Sequence, residues 1–463
     1  MKLHFYGGAQ SVTGANYLLE GNPNAKGKTT KILIDCGLTQ GSREEEKQNY
    51  EPLPYDPKEV EALLITHAHI DHTGRVPFLY KSGFRGQIYS TSATKDFSEY
   101  LLIDSQGLLE KDARDHGHEV LYSLQDVSNA LKIWTGVRYH EKLRINEFDV
   151  EFFDAGHILG SSFIRISAKD EKTGEVKTIV FSGDLGNVTT PLVKDTEMAE
   201  GADYVVMESL YGDKIHEPAN TRKDKLEDAI EETVAAGGVL MIPAFAMERT
   251  QELLYEINEL SENHRIPRVP IFIDSPLAIK LVAVYKKYSA DPDYFDSEAL
   301  ALFKKGDEIF NFPGLKFTLT TEQSKEINSV PAPKVIIAGS GMSEGGRMIH
   351  HESRYISDPK STLLFISYQS PYSLGRKIMN GEKMVRIFGE DVLVRCKTRS
   401  IGGYSAHADQ LKLLNWIRPM RDTLKKIYLV QSEGDTAEIF RTKVMDELAI
   451  PVEVPKSAME VEL

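Results

Sequence analysis

The chain has 463 residues, 41% of them hydrophobic and 27% charged, which is typical of a globular protein and too apolar for a disordered chain. Its formal charge of −14 excludes a uniformly basic nucleic-acid coat but not a local basic groove. Two cysteines, Cys36 and Cys396, exclude a disulfide framework and a multi-cysteine zinc motif. There is no signal-peptide layout and no run long enough to span a membrane, so we expect a cytoplasmic protein without membrane contacts.

The first two hundred residues alternate short apolar runs with turns rich in glycine, asparagine, proline and lysine. Helical periodicity appears over 94–113 and 124–133. This alternation predicts two packed sheets flanked by helices. The predicted strands are Lys2–Tyr6, Tyr17–Glu20, Lys31–Cys36, Ala62–Thr66, Gln87–Ser90, Phe148–Asp154, Ser162–Ser167 and Lys177–Ser182.

From about Tyr211 the pattern changes to alternating helices and strands, which predicts a parallel sheet. After about residue 391 the earlier pattern resumes, so the chain reads as one α/β unit interrupted by a second. The predicted elements of this part are helix Arg222–Ala236, strand Val239–Ile242, helix Met247–Leu260, strand Pro270–Asp274, helix Leu277–Tyr288, strands Lys334–Ala338, Thr362–Ser367 and Val392–Cys396, helix Asp409–Ile417, strand Lys425–Val430 and helix Thr436–Leu448.

A dense group of metal-competent side chains follows the apolar strand Ala62–Thr66. The residues are His67, His69, Asp71 and His72, and a likely helix comes after them. Imidazole nitrogens and carboxylate oxygens are zinc ligands, and one short loop at a strand end can direct several of them to one point. We therefore predict a metal site here, although each histidine alone would be an ordinary structural or surface residue.

Three further polar residues come at or just after strand ends. His157 follows strand Phe148–Asp154, Asp184 follows the strand that ends at Ser182, and Asp35 lies at the end of strand Lys31–Cys36. Each alone is a weak signal, because acidic residues often begin loops. Together they are expected at the sheet edge that carries the histidine loop.

The order of these residues resembles the metallo-β-lactamase superfamily: an acid after the third strand, then H-x-H-x-D-H, then a lone histidine, then a lone aspartate. The resemblance implies that His67, His69 and His157 hold one zinc ion. It implies that Asp71 and His72 hold a second zinc ion, that Asp184 bridges both, and that Asp35 orients the ligand loop. Two such ions would polarise a phosphoryl oxygen and produce a metal-bound hydroxide at neutral pH.

Several blocks after residue 205 resemble the β-CASP branch of that superfamily, the nuclease branch. They are Val206–Gly212, Ile242–Leu253, Ile273–Ala278, Gly339–Arg347 and Gly402–Asp409. The resemblance spans nearly the whole chain and is closest to RNA-cutting members, including bacterial and archaeal homologues of the endonuclease subunit of the mRNA 3′-end cleavage machinery. It implies an α/β fold: a metallo-β-lactamase αββα sandwich with an inserted β-CASP domain whose parallel sheet is flanked by helices. The expected domains are 1–210 and 391–463 for the sandwich and 211–390 for the insertion, with the active site in the cleft between them.

Two residues match the general acid of that branch. The resemblance assigns His407 as the acid that protonates the leaving ribose oxygen and Glu208 as the carboxylate that holds its ring. The chemistry needs such a proton donor, because an alkoxide is a poor leaving group without protonation or a metal. The alternative interpretation is that both are ordinary residues of a loop and a strand end.

Gln431 departs from the pattern. RNA-specific members carry a histidine at this position that completes the second metal site, whereas here the segment reads Leu429-Val430-Gln431-Ser432-Glu433. No histidine follows His407, so none downstream can replace it. The amide oxygen of Gln431 is a possible weak ligand, since amides are poor zinc ligands beside imidazole. A weakened second site, a different second metal and a reduced activity all remain open.

RNA contacts are expected from the inserted domain. Residues 371–400 carry seven basic and three acidic side chains and lead towards His407. The stretch Gly339–Arg347 could form a backbone nest for phosphate, or a simple turn between a strand and a helix. The candidate RNA-contacting residues are Arg347, Tyr368, Arg376 and Ser405, with Tyr372 and Tyr404 as further stacking candidates.

The remaining histidines are interpreted as structural or surface residues. The pair His350-His351 has no evident acid partner and is expected at the surface, and His116 and His118 belong to no evident group.

The sequence thus predicts a ribonuclease with two Zn²⁺ ions that cleaves single-stranded RNA during RNA processing or decay. Two alternatives remain: a non-catalytic or weakly active RNA-binding homologue, and a small-molecule metallo-hydrolase. Dimers are common in the family, but nothing in the sequence itself predicts a homodimer.

Overall fold

The computed structural model describes residues 1–23, 27–169, 173–188, 190–218, 221–306, 308–370 and 373–463. The chain divides into two compact units. Unit 1 consists of Met1–Val188, Val193–Ile215 and His407–Leu463, and unit 2 consists of Thr189–Leu192 and His216–Ala406. The predicted interruption of one α/β unit by a second is confirmed.

Unit 1 begins with a regular series of strands and short helices. Its elements before the insertion are β1 (Lys2–Gly7), β2 (Asn16–Glu20), β3 (Lys31–Ile34), α1 (Arg43–Glu46), β4 (Val60–Leu64), α2 (Ile70–Thr73), α3 (Val76–Lys81), β5 (Gln87–Thr91), α4 (Ser92–His116), α5 (Leu124–Lys132), β6 (Trp134–Val137), β7 (Leu143–Ile145), β8 (Phe148–Asp154), β9 (Ser162–Lys169), β10 (Val176–Phe181) and β11 (Tyr204–Glu208).

Unit 2 and the end of the chain continue the numbering. The elements of unit 2 are α6 (Arg222–Ala236), β12 (Val239–Pro243), α7 (Arg249–Glu262), β13 (Ile271–Asp274), α8 (Pro276–Tyr288), α9 (Ser297–Lys304), β14 (Leu315–Phe317), α10 (Thr321–Glu326), β15 (Lys334–Ala338), α11 (Met348–Tyr355), β16 (Thr362–Phe365), α12 (Leu374–Met379), β17 (Met384–Ile387), β18 (Glu390–Leu393) and β19 (Lys397–Ser400). The final elements, again in unit 1, are α13 (Gln410–Ile417), β20 (Lys426–Val430), α14 (Thr436–Leu448), β21 (Val452–Glu453) and β22 (Met459–Glu462).

Unit 1 is a four-layer sandwich built on two seven-stranded sheets. The sheets have the orders β22-β1-β2-β3-β4-β5-β6 and β21-β20-β11-β10-β9-β8-β7. The two sheets pack face to face, and aromatic side chains from both lie in contact between them. Measured between ring centroids, Phe5 lies 5.4 Å from Tyr428 and Tyr17 lies 6.1 Å from Phe181. Buried side chains of α3, α4 and α5 pack on the outside of the first sheet, and those of α13 and α14 pack on the outside of the second. This arrangement is the predicted αββα sandwich.

Unit 2 contains a six-stranded sheet with the order β14-β13-β15-β12-β16-β19. All of its strand pairs are parallel, as the alternation of helices and strands predicts. A separate antiparallel hairpin joins β17 and β18. Helices α6 and α11 pack against β12.

The structure differs from the sequence prediction around residue 391. Of the strand expected at 392–396, only Val392 and Leu393 are in a strand, at the end of the hairpin strand β18, and the next strand, β19, begins at Lys397 and pairs with β16 in the parallel sheet. Residues 391–406 therefore lie in unit 2, and the chain returns to unit 1 at His407. Hydrophobic periodicity locates strands but carries no information about which sheet a short strand joins.

The strands of unit 1 end in a way that gathers polar residues at one edge. In the first sheet β3 and β4 are parallel, and in the second β10, β11 and β20 are parallel, so the carboxyl ends of each set lie together. Ser162 links the two sheets at this edge, since its backbone N–H and its hydroxyl both donate to the carbonyl oxygen of Thr66, at 2.8 and 2.9 Å. No helix among the described residues combines the length and the apolar composition needed to cross a membrane.

Candidate active site

The histidine loop connects β4 to α2, and its backbone is tightly packed. His69 is the residue that precedes the first turn of α2, so the loop from Thr66 to His69 is short. The next turn lies against Gly37, where an added Cβ would stand 1.5 Å from the carbonyl oxygen of Asp71. Only glycine leaves room for this approach, and it keeps the side chains of the loop at the sheet edge.

Asp35 holds this loop from the end of β3. One carboxylate oxygen accepts from the Thr66 N–H at 2.8 Å, and the other accepts from the Thr66 hydroxyl at 2.8 Å. The second oxygen also lies 2.7 Å from Nδ1 of His72. Asp35 adopts a φ of 58° and is buried, so its backbone is constrained to deliver these contacts. The sequence analysis missed Thr66, although its place directly before His67 was a usable signal.

Three imidazole rings and a carboxylate converge beside the loop. Nδ1 of His69 lies 3.0 Å from Nε2 of His67 and 3.2 Å from Nε2 of His157. Oδ2 of Asp184 lies 3.3 Å from Nε2 of His67 and 3.6 Å from Nε2 of His157. The four ligand atoms all lie within 4.8 Å of one another. The structure thus brings together residues from three separate strand ends.

Burial keeps these rings neutral. It lowers the pKa of His67, and it lowers the pKa of His69 and His157 well below the usual histidine range. Burial opposes ionisation of Asp184, but the neighbouring His72 and His67 hold the pKa of this carboxyl well below its usual range. Neutral imidazoles and an ionised carboxylate are the protonation states that bind a metal ion.

This cluster fits a metal ion. Imidazole nitrogens 3.0–3.2 Å apart direct lone pairs at one another unless a proton or a cation lies between them. A cation among the four atoms satisfies every one, and three imidazoles with one carboxylate form a donor set that zinc prefers. His67, His69, His157 and Asp184 can therefore hold a metal ion, and their role as ligands stays a prediction.

The neighbouring position is arranged differently. Nε2 of His72 lies 3.3 Å from Oδ1 of Asp184 and 3.9 Å from the carboxylate of Asp71. The amide nitrogen of Gln431 lies between these groups, 2.9 Å from Nε2 of His72 and 2.8 Å from Oδ1 of Asp184. The residues of the predicted second site are together, but an amide N–H₂ points into it where the sequence analysis considered an amide oxygen. As they stand, these residues do not fit a second metal ion.

Glu208 and His407 form a pair beside the cluster. Nδ1 of His407 lies 3.3 Å from Oε2 of Glu208 and 3.9 Å from Oδ2 of Asp184. Oε1 of Glu208 accepts from the Leu185 N–H at 2.5 Å. Burial raises the pKa of Glu208, and His407 acts against that rise. The ring of His407 also lies 4.6 Å from the ring of His157, so it is next to the cluster that can hold a metal.

The predicted RNA-contacting residues lie in unit 2, and both arginines among them already donate hydrogen bonds there. Arg347 donates to Asp274 at 2.6 Å and to the carbonyl oxygens of Thr318 and Leu319. Arg376 donates to the carbonyl oxygen of Gln369 at 2.9 Å, and its guanidinium lies 5.6 Å from the ring centroid of Tyr368.

The other candidates for RNA contacts differ in exposure. Tyr368 is 52% exposed, Ser405 is half-buried and Tyr404 is fully buried, so Tyr404 does not present a ring surface to a base. Tyr372 lies outside the described residues. The predicted RNA contacts stay predictions.

Two interpretations of histidines were wrong. His351 is buried and its Nε2 lies 2.7 Å from Oδ2 of Asp274, so it has an acid partner, whereas His350 is exposed as expected. The partner is 77 residues away in the chain, which no local pattern reveals. His116 and His118 form a group with Asp112 on the surface at the end of α4, and the spacing D-x₃-H-x-H was a signal for it.

The fold and this cluster define the class of the protein: an αββα metallo-hydrolase with an inserted α/β unit. Family models match in three places: a metallo-β-lactamase superfamily domain over residues 26–180, a β-CASP domain over 250–378, and a "Zn-dependent metallo-hydrolase RNA specificity domain" over 391–455. The chain belongs to the β-CASP family of the metallo-β-lactamase superfamily. The predictions of the family and of a metal-dependent hydrolase are confirmed.

Three relatives are similar to this chain over at least 90% of its length. A protein of Thermus thermophilus named "Ribonuclease TTHA0252" is 38% identical over 90% of this chain and 91% of its own length. An "RNase J-like protein" of Methanocaldococcus jannaschii is 30% identical over 98% and 97%. "Transcription termination factor FttA" of Methanosarcina mazei is 29% identical over 91% of this chain and 66% of its own length.

A solved structure shares the fold. A crystal structure of a protein of unknown function from Enterococcus faecalis covers 100% of this chain and 99% of that one, with a TM-score of 0.56 and 11% identity. At this identity the likeness shows the fold alone.

Proposed function

We propose that the protein is a zinc-dependent ribonuclease that hydrolyses phosphodiester bonds of single-stranded RNA in RNA processing or decay. The observation that carries the proposal is the convergence of His67, His69, His157 and Asp184 directly beside the pair formed by Glu208 and His407. A metal-binding cluster next to a positioned proton donor is what cleavage of a phosphodiester requires, since the leaving ribose oxygen needs a proton.

The residues of the chain have separate roles in this reaction. When bound to the cluster, zinc lowers the pKa of a water and polarises a phosphoryl oxygen. Glu208 holds Nδ1 of His407 and so orients the ring. As a water oxygen bonds to phosphorus and the bond from phosphorus to the ribose oxygen breaks, His407 gives a proton from Nε2 to that ribose oxygen. Asp35 and Thr66 hold the histidine loop in place during the reaction, because both are buried and bonded to each other.

RNA is favoured as the substrate over the small molecules that related folds hydrolyse. The family model that matches residues 391–455 describes an RNA specificity domain, and two of the relatives are named as a ribonuclease and as RNase J-like. The Glu208–His407 pair points the same way, because a thioester or a lactone has a better leaving group than a ribose alkoxide and needs no such acid.

The experiment compares four substrates with the zinc-loaded full-length chain: an end-labelled single-stranded RNA, the same RNA as a duplex, the matching single-stranded DNA, and a glutathione thioester. We expect cleavage of the single-stranded RNA that stops on chelation and returns with zinc. RNA binding without cleavage at any metal concentration would instead identify a non-catalytic homologue. Rapid thioester hydrolysis with intact RNA would identify a small-molecule hydrolase.

A further inference from the structure

Gln431 occupies an unusual place at the end of β20. Its φ is 54°, its backbone N–H donates to the carbonyl oxygen of Gly8 at 2.6 Å, and the residue is buried. Its side chain lies next to Gly8, where a Cβ would make an ordinary van der Waals contact of 3.4 Å with Cγ of Gln431. The backbone therefore directs the amide group into the site and does not leave it at the surface.

The amide nitrogen is placed between two atoms that a second metal ion would need. It lies 2.9 Å from Nε2 of His72 and 2.8 Å from Oδ1 of Asp184, and those two atoms are 3.3 Å apart. A zinc ion bound to both would lie about 2.0–2.2 Å from each, in the region that the amide N–H₂ fills. An amide nitrogen has two hydrogens to donate and is not a metal ligand, so the amide and the ion exclude each other.

The other contacts of His72 and Asp184 agree with an amide nitrogen of Gln431 that faces Nε2 of His72 and Oδ1 of Asp184. Nδ1 of His72 lies 2.7 Å from Asp35, so Nε2 is the ring nitrogen that faces Gln431 and Asp184. Oδ2 of Asp184, the other carboxylate oxygen, faces His67 and His157 in the first cluster. The opposite orientation of the amide would place its carbonyl oxygen 2.8 Å from a carboxylate oxygen, which is repulsive without a cation between them.

We propose that the amide of Gln431 takes the place of the second metal ion, so that the protein holds one zinc ion, at His67, His69, His157 and Asp184. The inference rests on the proposed function for the identity of that ion. In this arrangement His72 and Gln431 are not ligands. Gln431 is a positioning residue, whose amide N–H holds Oδ1 of Asp184 so that Oδ2 faces the ion.

The test is a count of metal ions by native mass spectrometry and elemental analysis, made on chelated protein that is then titrated with zinc. The surface group Asp112, His116 and His118 also brings three ligand atoms within 4.8 Å of one another. The substitutions His116→Ala and His118→Ala are therefore made in every protein compared, so that this group adds nothing to the count.

In that background we expect one zinc ion per chain for the protein with Gln431, two for Gln431→His, and one for Gln431→Leu, which removes the amide without supplying a ligand. Titration with cobalt gives an independent signal: two coupled ions in Gln431→His change the electron paramagnetic resonance spectrum, whereas a single ion shows no coupling. Two tightly bound ions in the protein with Gln431, or no gain in Gln431→His, would overturn the inference.

The outcomes separate this inference from the proposed function. Two ions together with RNA cleavage would refute the one-ion site and leave the ribonuclease intact. One ion without RNA cleavage would support the one-ion site and refute the ribonuclease.

Discussion

Asp184 in unit 1 and Asp274 in unit 2 are two buried aspartates in similar places with opposite surroundings. Each stands at the carboxyl end of a strand, Asp184 after β10 and Asp274 at the end of β13, and each lies beside histidine. Asp274 accepts hydrogen bonds from Thr318, Ser324 and Arg347 and lies 2.7 Å from Nε2 of His351.

Asp184 instead directs Oδ2 at the ring nitrogens of buried histidines, while its Oδ1 accepts from the amide of Gln431. Nε2 of His67 and Nε2 of His157 both face Nδ1 of His69 at close range. A carboxylate supplied with donors by the protein is a structural device, because its charge is already compensated. A carboxylate among neutral imidazoles leaves an unfilled place for a cation. The presence of histidine near aspartate therefore does not distinguish a metal site; the balance of donors and acceptors does.

The largest effect is expected from removing one ring of the unit 1 cluster. His157→Ala takes away one of four ligand atoms, so we expect loss of bound zinc and RNA cleavage at background level, measured by elemental analysis and by release of labelled fragments. His350→Ala, at an exposed histidine of unit 2, is the matched control and should change neither. Full zinc content in His157→Ala would mean that the cluster is not the metal site.

The next effect separates proton donation from metal binding. His407→Ala should lower the rate of RNA cleavage by about 10²–10⁴-fold, the usual contribution of a general acid, while the zinc content stays unchanged. The measurements are single-turnover cleavage rates and metal analysis on the same samples. His264→Ala, at an exposed histidine, serves as the control. A loss of zinc equal to the loss of rate would show that His407 acts as a ligand and not as an acid.

Removal of the Asp274 carboxylate in unit 2 should lower the stability of the protein and leave its zinc content unchanged. Asp274→Ala leaves Arg347 and His351 without their buried partner, and we expect the free energy of unfolding to fall by about 3–5 kcal/mol. The free energy of unfolding is measured by urea unfolding, monitored by hydrogen exchange of β13. The zinc content is measured on the same samples. Asp224→Ala is the control, since its bond to Arg265 is exposed and worth about 0–1 kcal/mol. Loss of zinc in Asp274→Ala without loss of stability would remove the distinction between the two aspartates.

A third buried carboxylate, Glu352 on α11, sharpens the comparison because it has few donors and no imidazole cluster. The Ser343 hydroxyl donates to Oε1, and burial raises the pKa of Glu352 to about 7 against this hydrogen bond. An acid with a raised pKa binds its proton more tightly in the folded state. The free energy of unfolding should therefore fall as the pH rises from about 4.5 to about 7, by about 3 kcal/mol in total.

The measurement is urea unfolding of unit 2 across this pH range. Glu352→Gln should flatten the dependence, whereas Glu344→Gln, at an exposed position nearby, should leave it in place. An unchanged slope in Glu352→Gln would assign the pH dependence to other groups.

Part of the candidate site could be predicted from the sequence. The strand ends that carry Asp35, His67, His157 and Asp184 were predictable, because apolar runs followed by polar residues set the position along the chain and parallel strands end at the same edge. The sequence also identified Gln431 as a departure. It could not indicate that the amide nitrogen faces inward, since this depends on a left-handed backbone and on the contact with Gly8.

Contacts between residues far apart in the chain were the main features that the sequence could not predict. The bond between Asp274 and His351 joins the end of a strand to a helix far along the chain, and residues between them carry no pattern for it. The sheet to which β19 belongs was equally hidden, because a four-residue strand has no periodicity long enough to show its faces.

The most direct test of the account is anomalous diffraction at the zinc edge from crystals of the zinc-loaded full-length chain. We predict a strong peak about 2.0–2.2 Å from Nε2 of His67, Nδ1 of His69 and Nε2 of His157, with Asp184 as the fourth ligand, and no peak beside Asp274 and His351. Zinc-loaded crystals without density at the cluster, or with a peak at Asp274, would contradict the central claim that unit 1 carries the metal site.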